Sequence, residues 1–409
     1  MANSITSVVI CLTFIFLLAC TCTSVYGTET LPSGVERIHA QCAWDNNRDM
    51  VVDNKGVNGS GIIIAVIDTG IDYTNVTGEV IYHLDLAENV AGGTGFWHHW
   101  QTCEVFEETE YTDYYYPYGH GTHVAGIIAA VDNDIGVIGT APKTKVYAIR
   151  YRAATGQVEG EARAVAAAIN WAVAQGAHMI SMSFGFRVNY SFLYTACRNA
   201  YDVGKLLIAA AGNENSSISY PAKYDFVIAV GAVDKNDKRW NPSAEVGSNF
   251  GPELDFVAPG MDINSTVLNG GYGLKNGTSV ACPHVAAVAA LIWSSKIDQE
   301  YDFYRDNDLW DRDEVLAKLH HLALDLGPPG KDNEYGYGLI NAWATNQRPL
   351  GDINIDHITN ILDAILLAGA WGSKPGDQNW APRADINIDN VVNILDSIII
   401  ANNFGKKDP

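Results

Sequence analysis

Continuous apolar runs recur along the first half of the chain, separated by polar and glycine-containing segments. A run without polar alternation is typical of a parallel β-strand that is buried on both faces. The pattern therefore predicts strands of one buried sheet over residues 61–68, 146–149, 179–182, 206–211 and 227–233.

Stretches with apolar residues at helical spacing lie between these runs. Residues 162–175 predict an amphipathic helix that ends at Gly176, a residue type that suits the position after a helix C-terminus. Residues 283–293 are rich in alanine and predict a buried helix. Strands that alternate with helices predict an α/β fold with a doubly wound parallel sheet, whose functional side chains gather at the carboxyl ends of the strands.

The pattern changes after residue 346, where an internal repeat begins. The segment Asp-Ile-Asn-Ile-Asp starts at Asp352 and again at Asp385, so the period is 385 − 352 = 33 residues. A small helical domain over residues 349–409 is therefore predicted to follow a main domain of residues 28–346 across a short linker.

The first 27 residues are predicted to be a secretory signal peptide. Residues 8–20 form an apolar run too short for a typical membrane span, and the small residue Gly27 suits the cleavage point. Lipoprotein processing at Cys20 and an uncleaved anchor remain as alternatives. No later stretch approaches about 20 uninterrupted apolar residues, so no membrane span is expected in the mature chain, which is predicted to be extracellular or attached to the cell surface.

Composition and charge narrow the class of protein. The chain has 409 residues, of which 47% are hydrophobic and 18% charged, as in ordinary globular proteins. Its 26 basic and 47 acidic residues give a net charge of 26 − 47 = −21. Such a surface repels nucleic-acid phosphates and anionic lipids, so no nucleic-acid partner is expected.

Four cysteines lie beyond the predicted signal, namely Cys42, Cys103, Cys197 and Cys282. Export permits disulfides, and Cys42 with Cys103 is the first candidate pair. Buried free thiols are the open alternative.

Three motifs place a carboxylate, a base and a hydroxyl at turns or strand ends. Asp68 ends the first apolar run, His120 stands in Gly-His-Gly-Thr-His, and Ser279 stands in Asn-Gly-Thr-Ser. A serine hydroxyl needs an adjacent base to take its proton, and that base needs a carboxylate to fix its tautomer. We therefore expect these three side chains to form a catalytic triad.

The surroundings of these motifs fit the same chemistry. The glycines on either side of His120 permit close backbone approach, and Pro283 fits the first turn of a helix, which places Ser279 near a helix N-terminus. Asn213 follows a predicted strand in Ala-Gly-Asn-Glu. Its amide and the Ser279 backbone N–H are candidate donors to an oxyanion.

In this combination of motifs, residues 31–345 closely resemble the subtilisin-like serine peptidase family. The resemblance implies a secreted endopeptidase that acts on protein or peptide substrates through an acyl-enzyme intermediate. It implies that substrate binds extended along Ser183, Phe184 and Gly185, with Gly156 across the cleft and Ser219 near the floor of the S1 pocket. Because Ser219 is small and neutral, a preference for large apolar or aromatic P1 side chains is expected. The segment Tyr220-Pro221 resembles the family's cis-proline loop.

Each copy of the C-terminal repeat places oxygen-bearing side chains at positions 1, 3, 5, 9 and 12 of a loop, a spacing that can surround Ca²⁺. The candidate ligands are Asp352, Asn354, Asp356, Asn360 and Asp363 in the first loop and Asp385, Asn387, Asp389, Asn393 and Asp396 in the second. This region resembles a dockerin domain, which implies a cohesin-like scaffold protein as partner. Position 6 departs from the usual Gly, and positions 10 and 11 are apolar. A calcium-stabilised cap on the main domain is the alternative.

A second calcium site is implied by the subtilisin-like resemblance. Residues 131–137 resemble the family's calcium loop, with Asn133 giving its side chain and Ile135 and Val137 giving their carbonyls. Asp85 matches a further ligand position. A solvated turn is the alternative.

Two classes of function follow from the sequence. The first is a secreted serine endopeptidase, which its tail could join to a scaffold. The second is a scaffold-binding protein in which the peptidase fold is a carrier. The stretch 86–118 is longer than is usual in the family and is interpreted either as a wall of the substrate cleft or as a surface loop. Residues 28–33 leave no room for the family's inhibitory pro-domain before the resemblance begins, so folding unaided or with calcium is expected.

Overall fold

The structure is a computed structural model that describes residues 29–44, 52, 57–76, 79–99, 101–113, 119–153, 157–295, 310–342, 353, 358–374, 377, 379, 384 and 391–405. The predicted signal peptide and the boundary between the two predicted domains lie outside these residues. Both therefore stay predictions.

The strands of the described residues are β1 Ile63–Asp68, β2 Tyr73–Val76, β3 Glu79–Tyr82, β4 Val90–His99, β5 Glu104–Glu108, β6 Lys145–Ala153, β7 Met179–Met182, β8 Leu206–Ala210, β9 Ile228–Val233, β10 Phe256–Pro259, β11 Ile263–Val267 and β12 Gly271–Lys275. The helices are α1 Ser33–Arg37, α2 Gln41–Trp44, α3 His120–Ala129, α4 Val158–Ala174, α5 Ser191–Asp202, α6 Thr278–Ser294, α7 Arg312–Leu322, α8 Ile361–Gly369 and α9 Ile394–Asn403.

The largest sheet has eight strands in the order β10-β9-β8-β7-β1-β6-β4-β5. All neighbouring pairs are parallel except β4 and β5. Strand β1 lies inside the sheet, where Ala65 pairs with Tyr147 of β6 and with Ile180 of β7. Because parallel strands direct their carboxyl ends to one edge, Asp68 at the end of β1 lies where functional side chains gather.

Helices cover both faces of this sheet. Helices α4 and α5 pack against each other on one side, and α3 and α6 pack against each other on the other. Strands β7, β8, β9 and β10 are buried along their whole length, as parallel strands between two helical layers must be. The predicted α/β fold with a mostly parallel sheet is therefore confirmed.

The two edge strands of the sheet differ. Strand β5 carries charged side chains, whereas β10 has a further segment of chain hydrogen-bonded to it. Strand β5, at one edge, has the sequence Glu-Val-Phe-Glu-Glu. At the other edge, the amide of Val257 in β10 donates to the carbonyl of Gly338, and the amide of Ile340 donates back to Val257, each at 3.0 Å. Residues 338–340 thus pair with β10 around an isolated bridge between Val257 and Leu339.

The local predictions hold for most elements. The five predicted strand runs overlap β1, β6, β7, β8 and β9, and the predicted helix at 162–175 overlaps α4. Gly176 adopts a φ of 78°, the left-handed conformation that its position after α4 requires.

One expectation about local structure is wrong, and one alternative holds only in part. Pro283 lies inside α6 and not in its first turn, because contacts between Thr278 and Asn213 start the helix earlier at Thr278. The stretch 86–118 is not only a loop, since it contributes β4 and β5 to the sheet. Strand β4, which pairs in parallel with β6, was not predicted because its sequence contains glycines and polar residues and no continuous apolar run.

Two of the four cysteines match the alternative that the sequence left open. Cys197 and Cys282 are buried free thiols. No disulfide joins Cys42 to Cys103, so that predicted pairing is wrong. Cys42 lies in α2, whereas Cys103 lies in the exposed turn between β4 and β5.

The described parts of the two tail repeats have equivalent structures. Helices α8 and α9 each begin with the same capping box. An Asn side chain caps the helix, and the side chain of an Asp three residues later accepts a hydrogen bond from the backbone N–H of that Asn. The backbone of Gly372 donates to Val392 O (2.8 Å), and Gly405 donates to Thr359 O (2.7 Å). These bonds join the two repeats into one unit.

Among the described residues, no helix combines the length and apolar character that crossing a membrane requires.

The buried position of β1 gives a test of the fold. Ile67 in β1 is completely buried, and truncation to alanine leaves a cavity in the sheet core. Ile67→Ala is expected to lower the free energy of unfolding by about 2–5 kcal/mol. Urea unfolding measures this change. The matched control is Ile81→Ala in β3, where the side chain is 49% exposed and a change within about 0.5 kcal/mol is expected. Equal losses in both variants would contradict the described core.

Candidate active site

Asp68 and His120 meet at the carboxyl edge of the sheet. The Nδ1 atom of His120, the first residue of α3, lies 2.7 Å from Oδ1 of Asp68, at the end of β1. The same Oδ1 accepts from the amide of Thr69 at 2.7 Å. Asp68 is almost wholly buried, whereas His120 is half-buried. The imidazole is therefore held by the carboxylate on one side and partly open on the other.

Close backbone approach around His120 requires glycine, as its motif predicted. A Cβ on Gly121 would lie 2.2 Å from the carbonyl oxygen of Gly70. Gly119 has a φ of 47°, in the left-handed region. The two glycines let α3 begin directly against the end of β1.

The surroundings of His120 shift its pKa. Burial is the largest single influence and lowers the pKa, but the charge of Asp68 and its hydrogen bond together outweigh burial. The pKa of His120 is consequently raised above its usual 6.5. Asp68 thus favours the imidazolium form, which develops when the imidazole takes a proton.

Ser279 is the second residue of α6, so its backbone N–H is among the first amides of the helix. The neighbouring Asn213 is held in one orientation. Its Oδ1 accepts from the Thr278 amide at 2.8 Å and from the Thr278 hydroxyl at 3.0 Å. The Thr278 hydroxyl accepts in turn from the amide of Gly212 at 3.1 Å. With Oδ1 occupied twice, Asn213 presents Nδ2 as its donor.

Sequence reasoning did not identify the contribution of Thr278. Its hydroxyl both accepts and donates at the boundary between β8 and α6, and so fixes the side-chain amide of Asn213. The threonine stands directly before Ser279 in the motif, but the motif alone does not indicate that it contacts Asn213.

The predicted substrate-binding residues lie at the end of β7. Ser183 is buried, Phe184 is half-buried and Gly185 is exposed. Ser219 is 7% exposed and packs on Gly185, where an added Cβ would lie 2.7 Å from the Cβ of Ser219. Gly156 lies outside the described residues.

The segment after Gly185 is joined to the predicted cis-proline loop. Phe186 and Tyr220 exchange two backbone hydrogen bonds of 2.7 and 2.8 Å. The Tyr220–Pro221 peptide bond is cis, as the resemblance implied. Phe184 packs edge-on to Tyr151 with ring centroids 4.9 Å apart. The end of β7 is thus a fixed edge with aromatic surroundings.

The predicted calcium loop of the main domain encloses a buried carboxylate. Asp85 is completely buried; its Oδ1 accepts from Asn133 Nδ2 at 3.3 Å, and its Oδ2 accepts from the Val137 amide at 3.0 Å. Asn133 Oδ1 accepts from the Ile135 amide at 3.2 Å. Burial raises the pKa of Asp85, because it disfavours the charged form of the carboxylate.

Glu29 joins this loop and was not predicted. The amide of Thr30 donates to the carbonyl of Gly136 at 2.9 Å, and this pairing brings Glu29 to the loop, where its Oε1 accepts from the Asn133 amide at 3.1 Å. Burial, followed by the charges of Asp132 and Asp85, raises the pKa of Glu29 to about 7. Several oxygen atoms and more than one carboxylate therefore suit a hard cation at this loop.

The tail loops are described in part. Asp363 and Asp396 are completely buried, and Asp363 accepts from the amides of Ile353 and Asn360, each at 2.7 Å. Asn393 caps α9 as Asn360 caps α8. The other proposed ligands lie outside the described residues: Asp352, Asn354, Asp356, Asp385, Asn387 and Asp389. Within the described parts of the chain, no group of three or more His, Cys, Asp or Glu side chains forms a metal site.

Comparison with known proteins agrees with this geometry. The Subtilase family profile matches residues 59–338. The thermostable alkaline protease of Halalkalibacterium halodurans is 37% identical over 321 residues, which cover 78% of this chain and 74% of that protein. Subtilisin BL of Lederbergia lenta is 37% identical over 320 residues, covering 78% of this chain and 100% of that protein. Subtilisin E of Bacillus subtilis is 37% identical over 328 residues, covering 78% and 72%.

The profile match and these identities show that the chain belongs to the subtilase family. It is a subtilisin-like serine endopeptidase.

The raised pKa of His120 predicts the acidic limb of the activity profile. A general-base role for His120 requires the neutral imidazole, so with that role kcat/KM is expected to fall as the pH drops through a pKa above 6.5. Asp68→Asn removes the two largest influences that raise this pKa, the charge of Asp68 and its hydrogen bond. The limb should therefore move to lower pH, while kcat falls by about 10⁴-fold, the established scale for this change in serine peptidases. A pH–rate profile measures both effects. Asp202→Asn, an exposed site in α5, is the control that should change neither. An unmoved limb in Asp68→Asn would contradict the described coupling.

Proposed function

We propose that Asp68, His120 and Ser279 form the catalytic triad, with Asn213 and the Ser279 backbone N–H as the oxyanion hole. The observation that carries the proposal is the 2.7 Å contact between His120 Nδ1 and Asp68 Oδ1, at the edge where α6 begins at Thr278, one residue before Ser279. The fixed orientation of the Asn213 amide supports the oxyanion role.

The mechanism follows from these groups and is the one for which subtilisin is a standard example. The Oγ of Ser279 attacks the carbonyl carbon of the substrate while Nε2 of His120 takes the hydroxyl proton. Asn213 Nδ2 and the Ser279 amide donate to the resulting oxyanion. The C–N bond then breaks, and His120 gives its proton to the leaving amine. Water repeats the cycle on the acyl-enzyme and regenerates the Ser279 hydroxyl.

Asp68 stays ionised throughout this cycle. Its hydrogen bond keeps the proton of the neutral imidazole on Nδ1, so Nε2 is free to act as base. Its charge stabilises the imidazolium of each tetrahedral intermediate.

We further propose that substrate binds as an extended strand against residues 183–185. The fixed backbone of this segment, joined to the cis-proline loop through Phe186, supports the proposal. Ser219 beside Gly185 supports an uncharged S1 floor, and hence the expected preference for large apolar or aromatic P1 side chains. We also propose that Gly156 lies on the opposite side of the cleft from this segment.

Covalent labelling tests the triad directly. A fluorophosphonate probe is expected to label the full chain, because its phosphorus reacts only with an activated serine. Ser279→Ala should abolish labelling. The control Ser217→Ala, at an exposed serine, should label like the native protein. Labelling that persists in Ser279→Ala would overturn the assignment. Absence of labelling in the native protein, with or without calcium, would favour the scaffold-binding alternative.

We propose that the chain is secreted and that Ca²⁺ stabilises it at the loop of residues 131–137. Oxygen atoms of Glu29, Asp85 and Asn133 would hold the ion, together with the carbonyls of Ile135 and Val137. The raised pKa values of Glu29 and Asp85 support the proposal, because a bound cation would offset their charges. The ion would be structural, since it would tie the segment at Thr30 to the end of α3.

Chelation gives a pH-dependent test. Glu29 has a pKa of about 7, so protons compete with Ca²⁺ below that pH. Removing calcium is therefore expected to lower Tm more above pH 7 than below it, by RT ln(1 + [Ca²⁺]/Kd) in free energy. Asp85→Asn should remove most of this calcium effect. Asp134→Asn, in the same loop but exposed, is the matched control and should keep it. An unchanged Tm of the native protein after chelation would contradict the proposal.

We also propose that the tail is a dockerin-like docking module, which would add a tether to the enzyme. Exposed apolar side chains at equivalent positions of its two repeats support this role. They are Ile361, Leu362 and Ile365 in α8 and Ile394, Leu395 and Ile398 in α9, each at least 47% exposed. Exposed apolar patches mark interaction surfaces. The buried Asp363 and Asp396 support calcium binding by the loops.

Binding to purified cohesin modules tests the tail. In the full chain with Ser279→Ala, calcium-dependent binding is expected by surface plasmon resonance. The double variant Leu362→Asp and Leu395→Asp places two charges in the apolar surface and should reduce affinity at least 100-fold, as for loss of interface hot spots. Val203→Asp, at a 58% exposed apolar site outside the tail, should bind normally. Binding unaffected by the double variant, or absent from the native chain, would contradict the proposed surface.

A further inference from the structure

The acidic segment that follows β5 returns to the catalytic edge of the sheet. The amide of Asp113 donates to the carbonyl of Ile71 at 2.9 Å, and the amide of Ile71 donates to the carbonyl of Tyr111 at 3.1 Å. Gly70 makes room for this pairing, since a Cβ there would lie 2.4 Å from the Tyr111 oxygen. The segment is thereby fastened beside the end of β1, close to Asp68.

Helix α3, which carries His120, begins without a side-chain cap of its own. Its N-cap residue is Gly119, which has no side chain to accept from the first amides of the helix. These amides find acceptors outside the helix. The amide of Gly121 donates to the hydroxyl of Thr69 at 2.8 Å, and the amide of Thr122 donates to Oδ2 of Asp113 at 3.1 Å.

Asp113 therefore acts as a cap supplied by another part of the chain. Thr122 is the third residue of α3, the position that an N-cap side chain usually serves. The Thr122 hydroxyl also donates to Oδ2 of Asp113 at 2.9 Å. Asp113 is only 3% exposed, so water contributes little to these contacts. A carboxylate at a helix N-terminus is further favoured by the helix dipole.

Charged and titratable groups face His120 from several elements. Asp68 in β1 and Asp113 after β5 raise its pKa, and Lys275 in β12 lowers it. His123, one turn along α3, is kept neutral because burial lowers its pKa to about 3. The pKa of Asp113 itself is raised, chiefly by burial, while its hydrogen bonds with Thr122 oppose that shift.

We propose that Asp113 is a positioning residue of the peptidase site: its carboxylate fixes the first turn of the helix that carries His120 and places a second negative charge near the Asp68–His120 pair. The inference rests on the proposed role of His120 as general base. It gives the acidic stretch a role in activity that differs from a wall of the substrate cleft.

Two variants separate the charge of Asp113 from its capping contacts. Asp113→Asn keeps an oxygen acceptor for Thr122 but removes the charge, so the acidic limb of kcat/KM should move to lower pH with KM unchanged. Asp113→Ala also removes the acceptor, and kcat should fall by about 10–100-fold, because a misplacement of about 1 Å can cost that much. Glu104→Gln, an exposed acid of β5, is the matched control and should leave both parameters unchanged. Lys275→Gln should move the limb in the opposite direction, to higher pH.

The outcomes distinguish this inference from the triad proposal. If the acidic limb of Asp113→Asn lies at the same pH as in the native protein, the charge effect is overturned. If Asp113→Ala has the kcat of the native protein, the positioning role is overturned. If these variants do not fold, Thr122→Val removes one hydrogen bond to the same carboxylate and should lower kcat several-fold at unchanged KM; an unchanged kcat would overturn the inference. Full activity in His120→Ala would instead overturn the triad proposal itself.

Discussion

The hydrogen bond between Asp68 and His120 is the interaction on which the proposed active site depends, and it joins side chains 52 residues apart in sequence. A nearly buried carboxylate is costly unless it has hydrogen-bond partners. Asp68 meets this requirement because β1 ends at the edge of the sheet, where the amide of Thr69 and the ring of His120 both reach the same oxygen. The sheet fixes the carboxylate, and the glycines beside His120 allow its helix to approach.

Much of the fold and site follows from local sequence. Apolar runs in the sequence predict the buried strands. Each proposed site residue lies in a short motif that follows a strand or begins a helix; these residues are Asp68, His120, Asn213 and Ser279. What the sequence does not indicate are contacts between distant segments. The pairing of Thr30 with Val137 brings Glu29 to the proposed calcium loop, and the contact of Thr278 with Asn213 lies at the start of α6. Strand β4 was missed because it draws its stability from pairing with β6 and not from its own apolar pattern.

Acidic side chains make structural contacts in three separate regions of the chain. In the stretch before His120, Glu108 pairs with Arg150 at 3.0 Å while Asp113 caps α3. Near the start of the described chain, Glu29 meets Asp85 at one loop. In the tail, buried Asp363 and Asp396 accept from backbone amides. Many of these carboxylates therefore serve the internal structure, so the net charge of −21 describes more than the solvent-facing surface.

The two edges of the eight-stranded sheet bear on how the protein behaves in concentrated solution. An open sheet edge is a template onto which a strand of a second molecule can add, which leads to aggregation. Here β10 already pairs with residues 338–340, and β5 carries three glutamates among its five residues. A second copy that approached β5 through its own β5 would meet like charge. The hairpin that brings Asp113 to the catalytic edge thus also protects the sheet against strand addition between molecules.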